Sequence, residues 1–168
     1  PGSSGWVTLA DDRVFYMSQG DGLFCFRSDS GEPLFRWEYE LGYLGYVEVW
    51  GDIILTGGWR GYTDLSAYDR STGEKLWSHP LKSKELQNYS IPCFMNKDTI
   101  LSVNLSTGIA TLIDSGSGVV QSELELPAGI VSGDLGRAYR IVNDEAIFLA
   151  NTGKLILLNS ATRSYSIE

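Results

Sequence analysis

Apolar and polar residues alternate in short stretches along the chain, and clusters of turn-forming residues separate one stretch from the next. Residues 65–69 alternate in this way and predict a half-buried strand, and the apolar residues at 76 and 77 begin a return strand. Between them, Asp69 and Thr72 can bond backbone amides through their side-chain oxygens, and Gly73 accepts a positive φ angle. The pattern therefore predicts a β-hairpin with a tight turn.

The hairpin recurs at a nearly constant interval. Aligned on the turn, the equivalent positions are Gly31, Gly73, Gly118 and Arg163, at separations of 42, 45 and 45 residues. A four-stranded blade of a β-propeller has about 40–50 residues, so the interval predicts four antiparallel blades in one all-β domain over residues 1–168. Four blades form either a compact four-bladed propeller or part of a larger ring. The predicted blades cover residues 6–39, 46–78, 89–124 and 138–168.

Each repeat divides into four predicted strands joined by short turns. A pair of turn residues recurs between the first two strands of every repeat, at 11–12, 51–52, 97–98 and 143–144, which supports the alignment. Residues 82–87 are polar and predict a loop or a single helical turn, and no amphipathic helix is predicted. The predicted strands are 6–9, 14–18, 23–27 and 34–39 in the first repeat, 46–50, 53–56, 65–69 and 75–78 in the second, 89–94, 99–103, 109–114 and 119–124 in the third, and 138–142, 146–150, 154–159 and 164–168 in the fourth.

In the second repeat, Ala67, Asp69, Thr72, Gly73 and Trp77 match the pattern Ala-x-Asp-x-x-Thr-Gly-x-x-x-Trp. This pattern resembles the repeat of the PQQ-like β-propellers. Because rings of that family have eight blades, the resemblance implies that the four blades are half of an eight-bladed ring, with a compact four-bladed propeller as the alternative. The resemblance implies that the tryptophan docks onto the neighbouring blade, and that the Asp and the Thr-Gly pair hold the turn. We expect the later blades to dock through aliphatic side chains, because the other repeats match only in part. Their residues at the tryptophan position are Phe35, Ser122 and Ile167.

Charge and composition narrow the classes of partner. Thirteen basic and twenty-one acidic residues give a net charge of −8, and no basic stripe is present. Phosphate recognition relies on clustered Lys and Arg, so neither a nucleic acid nor an anionic membrane is an expected partner. No apolar run approaches 18 residues, so insertion into a membrane through a helix is not predicted. The opening residues 1–5 are typical of a linker, so we expect the chain to be either a segment of a longer protein or a processed protein.

Candidates for chemistry are few in this sequence. His79 is the only histidine, and its position before a proline predicts an exposed turn residue. Cys25 and Cys93 lie in apolar strands, where a buried thiol is the ordinary outcome. Their spacing gives no zinc site, and the carboxylates form no calcium loop. We therefore predict no catalytic residue, no bound metal and no cofactor.

One segment departs from the repeat. Between the second and third strands of the second blade the chain inserts residues 57–64, which combine three glycines with residue types enriched at binding hot spots. A loop folded back over its own blade is the alternative interpretation. A weaker candidate is an innermost strand that can line a central channel, with Arg137, Tyr139 and Arg140. The predicted partner-binding residues of the insertion are Trp59, Arg60, Tyr62 and Asp64, with Tyr43 and Tyr46 on the same side.

The blade pattern and the aromatic insertion favour a non-catalytic propeller that serves as a protein–protein interaction platform. Two alternatives stay open: a fragment of a PQQ- and calcium-dependent quinoprotein dehydrogenase, and a purely structural half-propeller that completes a ring. A half ring exposes apolar faces on its first and last blades, so a homodimer or another propeller half is expected to complete it. The chain also resembles outer-membrane assembly lipoproteins of the periplasm, which implies a location in the bacterial periplasm or cell envelope.

Overall fold

The fold consists of small antiparallel sheets. The computed structural model describes residues 6–18, 22–37, 45–58, 64–80, 92–104, 107–127, 139–150 and 153–168. These residues form sixteen strands in four four-stranded sheets and contain no helix. Among them, no helix is long and apolar enough to cross a membrane. The predicted all-β class with four four-stranded blades is confirmed.

The strand bounds agree with the predicted ones to within two residues, except that the strand predicted over 89–94 begins at Cys93 among the described residues. The first blade contains β1 (Trp6–Ala10), β2 (Arg13–Ser18), β3 (Gly22–Arg27) and β4 (Pro33–Trp37). The second contains β5 (Gly45–Trp50), β6 (Ile53–Gly58), β7 (Leu65–Asp69) and β8 (Lys75–His79). The third contains β9 (Cys93–Phe94), β10 (Thr99–Asn104), β11 (Ile109–Asp114) and β12 (Val120–Glu125). The fourth contains β13 (Tyr139–Val142), β14 (Glu145–Leu149), β15 (Leu155–Asn159) and β16 (Ser164–Ile167). Residues 81–91, with the predicted loop 82–87, lie outside the described residues.

All four blades share one strand order, and their second and third strands pair in one register. Each sheet follows the chain, so every connection within a blade is a hairpin. The last residue of the third strand pairs with the start of the second strand in every blade, so positions can be compared directly between blades. The four equivalent pairs are Arg13 with Arg27, Ile53 with Asp69, Thr99 with Asp114 and Glu145 with Asn159.

The side chain of the last residue of the third strand holds the turn that follows this strand. In the second blade, Asp69 Oδ1 accepts hydrogen bonds from the amides of Ser71 (2.9 Å) and Thr72 (2.8 Å). Asp114 accepts from the amide of Ser117, and Asn159 accepts in the same way in the last blade. The first blade has Arg27 at this position, and its guanidinium pairs with Asp29 at 2.7 Å. A short side-chain acceptor therefore builds three of the four turns, as the Asx-turn pattern predicts.

The last strand of a blade carries a β-bulge in three blades. The pairing shifts between Cys25 and Phe26, between Ala67 and Tyr68, and between Leu112 and Ile113. In the fourth blade the register of β15 and β16 runs without a shift, and Leu157 pairs with Ser166. The residue equivalent to Trp77 is therefore Ser166, and the assignment of Ile167 to that position was wrong by one residue.

The chain separates into two compact units, Pro1–Lys84 and Glu85–Glu168, each containing two blades. The core of the first unit joins Phe15, Met17, Leu23 and Cys25 of the first blade to Val47, Ile54 and Tyr68 of the second. The core of the second unit joins Leu101, Val103, Ala110 and Leu112 of the third blade to Ala146, Phe148, Ile156 and Leu158 of the fourth. In each unit, two sheets thus pack face to face through aliphatic and aromatic side chains. The single domain over residues 1–168 stays a prediction.

Candidate interaction surfaces

The motif residues of the second blade have structural surroundings. Trp77 is buried and lies opposite the fully buried Ala67 in the β7–β8 pair. Hydrogen bonds from Ser71 and Thr72 lower the pKa of the Asp69 carboxyl to about 2, so this group is a charged acceptor in its turn. These contacts fit the blade-forming role that the motif implies.

In the first unit, the aromatic residue that reaches the turn of the next blade is Trp37. Its ring contacts Gly73 so closely that a Cβ atom on this glycine would overlap the indole. Gly73 also has φ +76°, which L-residues rarely adopt. The indole stacks on Phe35, with ring centroids 4.1 Å apart. Phe35 occupies the position of the motif tryptophan and packs against the core between the two blades. The first blade therefore docks through two aromatic residues, the predicted Phe35 and its neighbour Trp37.

Arg70 also joins the first two blades, a role that the pattern of the sequence does not predict. Its guanidinium donates to Asp11 Oδ2 at 2.7 Å and to the carbonyl oxygen of Ala10 at 3.2 Å. It also lies over the ring of Phe15 and donates to the carbonyl oxygen of Gly51 at 3.2 Å. The only sequence signal is a basic residue directly after a turn carboxylate.

The first two residues of the predicted partner-binding insertion are part of a paired strand. Gly57 and Gly58 belong to β6 and pair with Tyr46 and Gly45. Tyr46 is 1% exposed, so its assignment to the binding surface was wrong: it faces the core because its place in β5 turns its side chain inward. A Cβ atom on Gly57 would lie 2.5 Å from the Tyr46 hydroxyl oxygen, so this glycine leaves room for the tyrosine.

Of the remaining predicted binding residues, one is described. Asp64 is exposed at the start of β7, and its Oδ2 atom lies 3.4 Å from the hydroxyl of Ser78. Ser78 in turn contacts the hydroxyl of Ser66 at 3.1 Å, so a short polar chain crosses β7 and β8 at this end of the blade. The other predicted residues of this surface, Trp59, Arg60, Tyr62 and Tyr43, lie outside the described residues.

The second predicted surface is represented by Arg140. It lies on β13, pairs with Ile147 and is exposed. Arg137 and the side chain of Tyr139 lie outside the described residues. The described part of this surface is therefore one exposed cation on the first strand of the fourth blade.

The candidates for nucleophilic chemistry have surroundings that disfavour it. Cys25 is fully buried, and burial raises the pKa of its thiol, which keeps it protonated at neutral pH. His79 ends β8, pairs with Leu65 and is half-buried, so the prediction of an exposed turn residue was wrong for it. The side chain of Cys93 lies outside the described residues. Within the described ranges, no group of three or more His, Cys, Asp and Glu side chains could hold a metal ion.

Exposed apolar side chains mark one face of the first blade and one face of the last. Val7 and Leu9 on β1 are 60% and 67% exposed, and Leu149 and Leu155 in the fourth blade are 49% and 41% exposed. This exposure agrees with the expectation that the end blades of a half ring present apolar faces.

Solved propeller structures resemble this chain. BamB from Moraxella catarrhalis matches with a TM-score of 0.68 and 16% identity, over 90% of this chain and 42% of that chain. The computationally designed Ika8 protein matches with a TM-score of 0.73 and 15% identity, over 96% of this chain and 48% of that chain. The computationally designed Ika4 protein matches with a TM-score of 0.70 and 13% identity, over 92% of this chain and 90% of that chain.

These neighbours are β-propellers, so the fold class is confirmed. This chain spans less than half the length of the BamB and Ika8 chains. At such low identities the likeness concerns the fold alone. No family model matches the chain, and no curated protein sequence matches it.

Proposed function

We propose that the chain is a non-catalytic β-propeller module that binds a protein partner through the loop of the second blade, residues 59–64. The observation that carries this proposal is the stem of the loop. β5 and β6 remain paired as far as Gly45 and Gly58, and the buried Tyr46 packs beneath Gly57. A loop that starts from such a fixed stem loses less conformational freedom on binding, which favours affinity.

The composition of the loop supports a protein as the partner. Trp59, Arg60 and Tyr62 are residue types that dominate binding energies at protein interfaces. Asp64 adds an exposed carboxylate at the point where the loop enters β7. The loop therefore combines aromatic, cationic and anionic groups within six residues, and these are suited to a protein surface of mixed polarity.

The described polar side chains support a role without catalysis. Asp69, Asp114 and Asn159 are occupied in turn hydrogen bonds, and Cys25 is a buried thiol with a raised pKa. A location in the periplasm or cell envelope is part of the same proposal. It is supported by the resemblance to PQQ-like propellers and by the structural likeness to BamB.

A capture experiment tests the role of the loop. The triple variant Trp59→Ala, Arg60→Ala and Tyr62→Ala should keep the circular dichroism spectrum of the parent and lose the proteins that the parent retains from a cell extract. The matched control is Trp50→Ala, because Trp50 is an exposed tryptophan at the opposite end of β5. Capture that persists in the triple variant would reject the loop as the binding surface, and Arg140 would be tested next.

A further inference from the structure

Each described pair of neighbouring blades packs in the same orientation. We call the leading face of a blade the one that contacts the next blade along the chain, as Phe15, Met17 and Leu23 do in the first blade. The trailing face is the one that contacts the preceding blade, as Val47 and Ile54 do in the second. The third and fourth blades repeat this arrangement at equivalent positions, with Leu101 and Val103 on the leading face and Ala146 and Phe148 on the trailing face. In both units, the leading face of one blade therefore packs on the trailing face of the next.

The trailing face of the first blade is apolar but uncovered. Val7 is equivalent to Val47 because each pairs with the fourth residue of the second strand, yet Val7 is 60% exposed and Val47 is fully buried. The same face carries Phe24 and Phe26, whose rings stack at 6.3 Å, and Arg36 lies over the ring of Phe24. The positions of the second blade that the first blade covers are thus apolar in the first blade as well, where no blade covers them.

The leading face of the fourth blade is uncovered in the same way. Leu149 and Leu155 are equivalent to Met17 and Leu23 in the shared register, and those two residues are buried in the first blade. Each of the two leucines is more than 40% exposed. The first blade therefore has a free trailing face and the fourth blade a free leading face, which are the two halves of the blade–blade contact seen within each unit.

We propose that a second copy of this chain covers these faces, with the leading face of the fourth blade of one copy docked on the trailing face of the first blade of the other. Two copies contain eight blades and can form this contact twice about a two-fold axis, the commonest symmetry of oligomers. The docking does not involve the loop 59–64, so it stands apart from the proposed function.

Polar groups at equivalent positions support a second copy as the occupant. In the first unit, Thr8 Oγ1 donates to the carbonyl oxygen of Val47 at 2.6 Å. Arg140 is equivalent to Thr8, and Val7 is equivalent to Val47, so the exposed Arg140 is placed to donate to the Val7 carbonyl of the other copy.

The turn after the third strand continues the same equivalence. Trp37, which lies over the Asp69–Gly73 turn, has Glu168 as its equivalent, because Glu168 and Leu155 exchange two backbone hydrogen bonds of 2.9 Å. The Asp69–Gly73 turn has the Arg27–Gly31 turn as its equivalent. Glu168 of one copy would therefore lie beside the Arg27–Gly31 turn of the other copy.

Sedimentation equilibrium over a range of concentrations tests the proposal. The parent should have twice the 18.5 kDa mass of one chain. Leu9→Asp and Leu149→Asp should each shift the protein to the mass of one chain without changing its circular dichroism. The control Leu76→Asp alters an equally exposed leucine at the β8 bulge and should leave the double mass unchanged. A parent with the mass of one chain at every concentration would overturn the proposal.

A disulfide test identifies which faces meet. In the double variant Val7→Cys and Arg140→Cys, mild oxidation should give a covalent dimer, and mass spectrometry should find residue 7 of one chain joined to residue 140 of another. The two single variants control for Cys25 and Cys93. An intramolecular 7–140 disulfide would show that the chain closes on itself, and a dimer without this link would show that other surfaces meet; either result would overturn the proposal.

Discussion

The contact between Trp37 and Gly73 allows a quantitative test of how the first two blades dock. Gly73→Ala introduces two costs, because the residue has φ +76° and its Cβ atom would overlap the indole of Trp37. The left-handed backbone alone costs an L-residue about 1–2 kcal/mol. Displacing the indole from its stack on Phe35 adds about 0.5–1.5 kcal/mol.

Gly31→Ala is the matched control. Gly31 occupies the same turn position in the first blade with φ +70°, but no atom lies within 4 Å of its Cβ position. It should therefore carry the backbone cost alone. Urea denaturation should then show that Gly73→Ala lowers the free energy of unfolding by about 1 kcal/mol more than Gly31→Ala does.

A double-mutant cycle isolates the role of the indole. In a Trp37→Ala background the overlap is absent, so Gly73→Ala should cost only the backbone term and match Gly31→Ala. Equal costs for the two glycine variants in the parent background would refute the reasoning. So would an extra cost of Gly73→Ala that persists after Trp37 is removed.

Three further predictions follow from single side chains. The pKa of Asp69 is lowered to about 2, below its value in the unfolded chain. The contribution of the carboxylate to stability is therefore present above about pH 4 and is lost as the pH falls toward 2. Between pH 6 and pH 2.5, the urea midpoint of Asp69→Asn should fall less than that of the parent. Arg70→Ala should lower the free energy of unfolding by about 1–2 kcal/mol, because the largely buried guanidinium binds two carbonyl oxygens and Asp11. The control Arg27→Ala removes an exposed local ion pair and should leave the urea midpoint nearly unchanged. Cys25 should resist iodoacetamide in the folded chain and react after unfolding, as followed by peptide mass spectrometry, because burial raises its pKa and blocks access.

Local chemistry made most of the fold predictable from the sequence. A side-chain acceptor at the end of the third strand and a tight turn after the first strand recur at fixed positions, so they set both the blade length and the register. The β-bulge is different, because the residue that it inserts depends on pairing with the neighbouring strand. A count from the turn to Ile167 therefore failed in the fourth blade, where Ser166 takes the place of the bulged partner.

The candidate surfaces were harder to predict, because side-chain direction depends on strand phase and on neighbouring blades. Tyr46 is an aromatic residue close to the insertion, but its phase in β5 points it into the core. Trp37 reaches the second blade only because Gly73 leaves room for it, and those two residues are 36 positions apart in the chain. Arg70 contacts Asp11 of the first blade across a longer separation of 59 positions. Contacts of this kind require the packing of two sheets, which alternation within one strand does not specify.

The central claim is that a given blade position is buried when another blade covers it and is exposed when none does. Hydroxyl-radical footprinting read by mass spectrometry measures this directly, residue by residue. Met17, Leu23 and Val47 should be protected at every protein concentration. Val7, Leu9 and Leu149 should be reactive in dilute solution and protected where the mass has doubled. Reactivity of these three residues that stays unchanged while the mass doubles would contradict the account, as would their protection in the single chain.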